Sequence, residues 1–436
     1  MNNKYKNIFI AIIIIIIIII ALILALLKIV DNTDDNISTI QGDKGQEIDY
    51  SSSEIKTVTE KIDYFTVNNL INNYLKLLNV NNSIYYIGNE YDKTIQQNYI
   101  YNLLSYKYME ENNITKDNIL EKVTNFKTEL IYVPLNLKVL EKENINKYIA
   151  YGIVGNMNDE FVDELYIIVN LDKKNKTYSI EPINMKYNNI EEIKFSNEDI
   201  LIEKNSDNSY KDQKITNEYL INEYLSLYKK LALIKPEIAY SLLNEEYREA
   251  RFGTLEEFKK YINNNRREIS KIRLEEYLVN NYDNYIEYVA KNQFRNYYIF
   301  NEYANNKIEI KLDEYTILTD KFKATYANVS DENKIKMNID KFFKMINNYD
   351  YSHAYNCLSK GFRDNYFYKT EDLEKYLKNN LFTYNSIEYK SCTKKGSNLY
   401  VYDIEVVNMQ NNSERKSMSI IMKLNDDYNF EVAFNM

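Results

Sequence analysis

Residues Ile8 to Leu27 form one unbroken apolar stretch of 20 residues, and Ile12 to Ile20 within it are nine consecutive isoleucines. At a 1.5 Å rise per helical residue, this length matches the roughly 30 Å hydrocarbon core of a bilayer. It offers no polar face by which a soluble fold could accept it. A cleavable leader would have a shorter apolar core and a small-residue exit. Here the exit reads Leu26-Leu27-Lys28-Ile29-Val30, and no cysteine follows closely. The stretch reads as a retained anchor over residues 8–30, with Ile8, Ile12, Ile20 and Leu27 along its length and the lipid bilayer as its first partner. Lys4 and Lys6 precede the run, whereas Asp31, Asp34 and Asp35 follow it. That lysine bias places residues 1–7 in the cytoplasm and the bulk of the chain outside the membrane.

Residues 31–60 carry eight acids against two lysines, include Ser51-Ser52-Ser53, and show no apolar periodicity. They are expected to form a solvated acidic stalk. The remaining stretch of about 375 residues suits two to four domains. A hydrophobic fraction of 45% with 14% aromatics is enough to build real cores. The net charge of −9 argues against a general nucleic-acid binder, which needs a basic face for phosphate contacts.

An internal repeat organises the C-terminal half. Residues 239–265 (AYSLLNEEYREARFGTLEEFKKYINNN) align without gaps on residues 354–380 (AYNCLSKGFRDNYFYKTEDLEKYLKNN) at an offset of 115. Upstream, Leu220, Tyr224, Leu227, Tyr228 and Leu231 map onto Ile335, Ile339, Phe342, Phe343 and Ile346 in the same register, spaced as the stripe of an amphipathic helix. Each copy is expected to open with three helices. In the first of these copies Pro236 starts the middle helix, Gly253 breaks the chain, and Thr254-x-x-Glu257 caps the third. Strands follow, including Lys307–Leu312, Tyr400–Val406, Arg415–Leu424 and Tyr428–Phe434, with a turn at Asn425-Asp426-Asp427. Residues 61–183 read as a divergent earlier copy. Its first helical stripe is Val67, Leu70, Ile71, Tyr74, Leu77 and Leu78, and strands are expected near 128–140, 146–155, 162–171 and 177–182. The boundaries that follow are module 1 at 61–183, a polar linker at 184–213, module 2 at 214–320 and module 3 at 321–436.

Helices followed by a curved antiparallel sheet give an α+β fold class. In the segments Ala239–Ile262, Ala354–Leu377, Lys307–Leu312 and Tyr428–Phe434 the chain resembles the NTF2-like (cystatin-like α+β) superfamily. A short cytoplasmic tail, one anchor and tandem modules of this type outside resemble the layout of envelope scaffold proteins of bacterial conjugation and type IV secretion. The third module departs from the two-domain conjugation layout.

No residue pattern points to catalysis, a cofactor or a metal. His353 is the only histidine and falls where module 2 has Ile238, which suggests a structural role. Asp403, Glu405, Glu309 and Asp313 are expected on the solvent face of their strands. Two cysteines and one histidine are too few and wrongly spaced for zinc. For Cys357 and Cys392 either a disulfide or two separate thiols is open, with separate thiols the ordinary expectation. The glycines form no phosphate loop, and Gly152-Ile153-Val154-Gly155 lies in a strand pattern. Arg248–Arg273 holds eight cations against four acids, expected as the solvated face of a helix rather than a surface for an anionic polymer.

The implied function is a non-enzymatic, single-pass extracytoplasmic scaffold of the bacterial cell envelope, related to conjugation or secretion, with envelope proteins as partners and a homo-oligomer left open. The alternative is a ligand-binding or sensory ectodomain that uses the cone of one module as a pocket.

Overall fold

The computed structural model describes residues 55–123, 130–142, 144–156, 158–183, 208–425 and 428–435. The anchor, most of the stalk, the larger part of the linker, and Asp426 and Asp427 of the expected turn lie outside the described residues. Among the described residues no helix is long and apolar enough to cross a membrane.

The fold is α+β, built as three antiparallel sheets that each carry helices. In the first module, strand β1 (Lys56–Thr57) leads into helix α1 (Lys61–Leu77), a small hairpin of β2 (Tyr86–Ile87) and β3 (Glu90–Tyr91), and helices α2 (Lys93–Leu103), α3 (Tyr106–Glu111) and α4 (Ile119–Lys122). Long strands β4 (Leu130–Lys142), β5 (Ile145–Asn156), β6 (Phe161–Asp172) and β7 (Thr177–Ile183) follow, giving a sheet of order β1-β4-β5-β6-β7. The second module contains α5 (Asn217–Ile234), α6 (Pro236–Ser241), α7 (Glu245–Arg251), α8 (Leu255–Asn264) and α9 (Arg266–Ser270), then β8 (Leu274–Asn281), β9 (Ile286–Asn292), β10 (Tyr297–Glu302) and β11 (Ile308–Lys311) in order β11-β10-β9-β8. The third contains α10 (Asp320–Asn328), α11 (Asp331–Asn347), α12 (Tyr351–Asn356), α13 (Lys360–Tyr366) and α14 (Thr370–Asn380), then β12 (Asn385–Lys394), β13 (Leu399–Asn408), β14 (Asn411–Leu424) and β15 (Phe430–Asn435) as a meander.

The helical stripes bury as their spacing requires. Val67, Ile71 and Tyr74 of α1 face the first sheet, Leu220, Tyr224 and Tyr228 of α5 the second, and Ile335, Ile339 and Phe342 of α11 the third. Pro236 occupies the first turn of α6, where its missing N–H costs nothing. Thr254 caps α8 by accepting from the Glu257 backbone N–H at 3.3 Å, and Gly253 supplies the positive φ of 71° just before it.

The middle helix departs from the expectation of three helices per copy, because it is interrupted in every module. The chain leaves α6 after Ser241 so that Leu243 lies parallel to Ile310; Ile310 N–H donates to Leu242 C=O at 2.9 Å and Asn244 N–H donates to Ile310 C=O at 3.0 Å. Leu358 pairs with Val432 and Leu104 with Ile180 in the same parallel manner. These backbone bonds satisfy groups that a broken helix would otherwise leave bare.

Two boundaries shift from the sequence reading. The stalk ends before residue 60, since Lys56 and Thr57 pair with Val139 and Lys138 of β4. The linker ends before residue 213, since Ser209 bridges Thr177 and the Tyr210 ring is buried in the first core. Helix α10 and the β2–β3 hairpin have no counterpart in the expected element list.

Gly152 faces Pro134 across the β4–β5 ladder, beside the bulge between Pro134 and Asn136. A Cβ there would sit 2.5 Å from the Val133 carbonyl oxygen and against the Tyr132 ring, neither of which can move cheaply. Gly152→Ala is expected to destabilise the folded chain by about 1–3 kcal/mol through overpacking. Gly361→Ala, at a helical site with open space around it, should be neutral or slightly stabilising. Urea denaturation of both variants checks the contrast.

Candidate functional site

The space between helices and sheet, where a fold of this shape could house a pocket, is occupied by large side chains. Tyr74 and Tyr148 fill the first module, Tyr228 and Phe258 the second, Phe342 and Phe434 the third, all buried. Two clefts instead lie between neighbouring modules.

The cleft between modules 1 and 2 forms where the back of the first sheet receives α5. Val133 and Ile153 point away from their own core and, with Phe65, join the second core. Its walls are two helical stripes: Tyr64, Asn68 and Asn72 at i, i+4 and i+8 on α1, and Glu223, Leu227 and Lys230 on α5. The interior volume is about 60 Å³, several times the ~10–15 Å³ that holds a single water. Asn72 accepts from Tyr132 N–H at 3.2 Å, and Asn69 donates to Gln213 Oε1 at 2.8 Å. Asn68, only 6% exposed, makes no short hydrogen bond, but its amide lies near enough to the Tyr64 hydroxyl, one turn back on α1, to temper the rise that burial gives that phenol. The Tyr132 hydroxyl is buried at 1% exposure. Burial pushes the Glu223 carboxyl up and the Lys230 amine down, each tempered by the other's charge. Among the described residues neither is held in an ion pair.

The larger cleft, of about 660 Å³, opens between modules 2 and 3 beside α8 and α14. Beneath it lies a buried ion cluster. Arg251, on α7, reaches Asp350 Oδ1 with Nη1 at 2.7 Å and Asp313 Oδ2 with Nε at 3.5 Å, with 7% of its side chain exposed. Asp313 also accepts from the Tyr247 hydroxyl at 2.7 Å, from the Thr316 hydroxyl at 2.9 Å, and from the Tyr315 and Thr316 backbone N–H groups. Asp350 accepts from the Tyr315 hydroxyl at 3.0 Å and caps α12, where His353 Nδ1 lies 3.0 Å from Oδ1. Burial raises Asp313. Burial would raise Asp350 too, but the Arg251 guanidinium and then His353 outweigh it and hold that carboxyl below the usual range.

This cluster corrects two sequence expectations. Asp313 is buried rather than solvated, because β11 ends at Lys311 and strand alternation no longer governs a residue in the following turn. Glu309, still within the strand, is half-buried and accepts from Asn244 and Tyr303. Asp403 is exposed as expected, accepting from Ser391 and Ser419, and Glu405 pairs with Lys390 and Arg415 at the surface. The Arg248–Arg273 run is not simply a solvated face, since two of its cations join modules. Arg251 does so as described, and Arg266 donates to the Leu233 and Asp159 carbonyls at 3.0 and 2.9 Å.

Cys357 and Cys392 are separate free thiols, so the disulfide held open by the sequence is not formed. Cys357, at the end of α12, lies 4.0 Å from Met345 Sδ, and burial pushes its thiol up to about 11. Cys392 sits on β12 opposite Tyr402. Among the described residues no group of three or more His, Cys, Asp or Glu is placed to hold a metal ion. The anchor positions Ile8, Ile12, Ile20 and Leu27 lie outside the described residues.

The depressed Asp350 carboxyl contributes stability that is present at neutral pH and lost as pH falls through its folded-state value, below the ordinary carboxylate range of about 4. Arg251→Leu strands two buried carboxylates and is expected to cost about 3–5 kcal/mol near pH 7. That penalty should shrink as acid neutralises the stranded carboxyls, which urea titrations at neutral and mildly acidic pH would measure. An undiminished penalty in acid would contradict the assignment. Against protein-family models, curated proteins and solved structures, the chain finds no match.

Proposed function

We propose that this chain is a non-enzymatic scaffold of the cell envelope, held in the membrane by residues 8–30 with its N-terminus cytoplasmic, and presenting three tandem NTF2-like modules outside. The observation that carries this reading is the filling of each helix–sheet interior by tyrosine and phenylalanine, which leaves outer surfaces as the working parts. Ion pairs and shared cores join neighbouring modules, so the string can act as a stiff spacer. On the first module, Ile84, Tyr86, Ile87, Tyr91 and Tyr99 are all exposed around the β2–β3 hairpin. A surface cluster of this kind is favourable for protein contacts, since large apolar and aromatic groups enrich interfaces.

Deleting residues 1–30 should move the chain from the membrane fraction to the soluble fraction. In cells carrying the full chain, crosslinking should capture envelope proteins, and the double change Ile84→Ser with Ile87→Ser, both exposed, should reduce that capture while leaving the circular dichroism melt unchanged. Membrane retention without residues 1–30, or capture indifferent to the hairpin change, would count against the scaffold reading.

A further inference from the structure

We propose that copies of this chain associate head to tail, the β2–β3 hairpin of one copy docking on the exposed tyrosines Tyr366 and Tyr368 of a second. The proposal rests on the scaffold reading, in which the hairpin is a contact surface, and names its partner.

Neighbouring modules already meet in a repeated way. The chain just past the first long helix of a module reaches back to the module before it: Lys235, after α5, to Glu164 and the Phe161 ring, and Asp350, after α11, to Arg251. In the register that superposes Val67, Ile71, Leu75 and Leu78 on Leu220, Tyr224, Tyr228 and Leu231, the place of Lys235 falls on Asn82 in module 1. There the chain does not turn straight into its next helix. Asn82 caps a short turn, Ser83–Tyr85, and the β2–β3 hairpin follows, an insertion that modules 2 and 3 lack. The insertion therefore stands at the docking position. It is also held rigidly: the Tyr85 ring is buried, its hydroxyl donates to Leu77 C=O at 2.8 Å, and its carbonyl accepts from Asp92 N–H at 2.7 Å. Ile84, Tyr86 and Ile87 are left in solvent, Ile87 at 66% exposure. A preordered apolar surface gives up little entropy when a partner covers it.

The receiving face repeats as well. Module 2 takes Asp350 at Arg251, which is followed by Phe252 and Gly253. At the 115-residue offset module 3 has Tyr366, Phe367 and Tyr368. Phe367 packs in the third core, whereas Tyr366 and Tyr368 are 68% and 82% exposed. Aromatic side chains in solvent on a face of this kind suit a protein contact. Charge selects the pairing. Residues 82–92 hold Glu90 and Asp92 and no cation, while residues 360–369 hold Lys360, Arg363 and Lys369 against Asp364. Opposite charge steers hairpin to tyrosine face and disfavours either face meeting its own kind. A contact between two different faces leaves one of each open on every pair, so the association extends or closes into a ring.

The test is sedimentation velocity of the full-length chain in detergent micelles. The unaltered chain should form dimers and larger species as its concentration rises. Ile84→Ser with Ile87→Ser, and separately Tyr366→Ser with Tyr368→Ser, should each weaken association about tenfold or more while the circular dichroism melt stays unchanged. An equal mixture of the two variants should recover dimers and nothing larger, because each supplies the intact face that the other lacks. Should a serine variant not fold, Glu90→Lys and Lys369→Glu take its place: each alone weakens association, and both in one chain restore it. Association that survives the tyrosine change, or a mixture that stays monomeric, overturns the head-to-tail contact. A monomeric unaltered chain whose hairpin change still lowers the capture of other envelope proteins overturns the second copy as partner and leaves the scaffold reading standing. If the hairpin change affects neither association nor capture, both fall.

Discussion

Every module depends on a backbone bridge in which an interrupted helix lies against the last strand. Leu104, Leu243 and Leu358 each leave the helix and pair in parallel with Ile180, Ile310 and Val432. In all three sheets that last strand is an edge. An edge presents unpaired N–H and C=O groups and invites pairing with other chains. A broken helix presents the same two kinds of group at its ends. Joining them resolves both problems with two or fewer hydrogen bonds per module, and it fixes the helical layer to the sheet at a definite point. The residue after each leucine is Ser105, Asn244 or Ser359, and in the first two the side chain caps the helix that follows.

Charge decides which modules meet. In the 115-residue register, Asp350 of module 3 occupies the place that Lys235 holds in module 2. Both reach back to the preceding module: Asp350 to Arg251, Lys235 to Glu164 at 3.8 Å and over the Phe161 ring at 3.9 Å. The same position docks each module on its predecessor with opposite sign. Swapping partners would place like charges together, so the sequence order of the modules is reinforced electrostatically. The Arg251 site itself maps onto Tyr366 in module 3, which is exposed.

The elements were legible in the sequence wherever local periodicity decided them. The stripes of α1, α5 and α11 and the long strands β4 to β7 follow directly from spacing at 3.6 and 2 residues. The interrupted middle helix was not, because residues 239–252 keep a helical pattern throughout and the break depends on Ile310, far along the chain. Asp313 and Arg251 each look like a surface charge beside their sequence neighbours. Asp313 falls just past the end of β11, where Tyr247 and Arg251 of its own module reach it, and Arg251 is turned inward by Asp313 and by Asp350 of module 3. The short pairing of Lys56 and Thr57 with β4 carries no sequence signal, since two polar residues in an acidic stretch resemble stalk. The candidate site was equally hidden. Asn68 is one of many asparagines, and what sets it apart is burial beside Tyr64 on a wall between modules, a property that no single-sequence pattern expresses.

The two ways of burying polarity in this molecule are therefore distinct in kind. Around Arg251 each carboxylate is met by a guanidinium and by hydroxyl or backbone donors, so the cost of removing charge from water is offset locally. Such a cluster is best understood as holding modules 2 and 3 in one arrangement. Around Asn68 the polarity is met more weakly, by the Tyr64 phenol one turn back on α1, so less of the cost of burial is offset there. Packing did not impose that arrangement, since Ile221 fills the equivalent place in module 2. Polar stabilisation between modules is therefore concentrated at the Arg251 junction, where both carboxylates are met by the guanidinium and by hydroxyl donors, and is weaker beside Asn68.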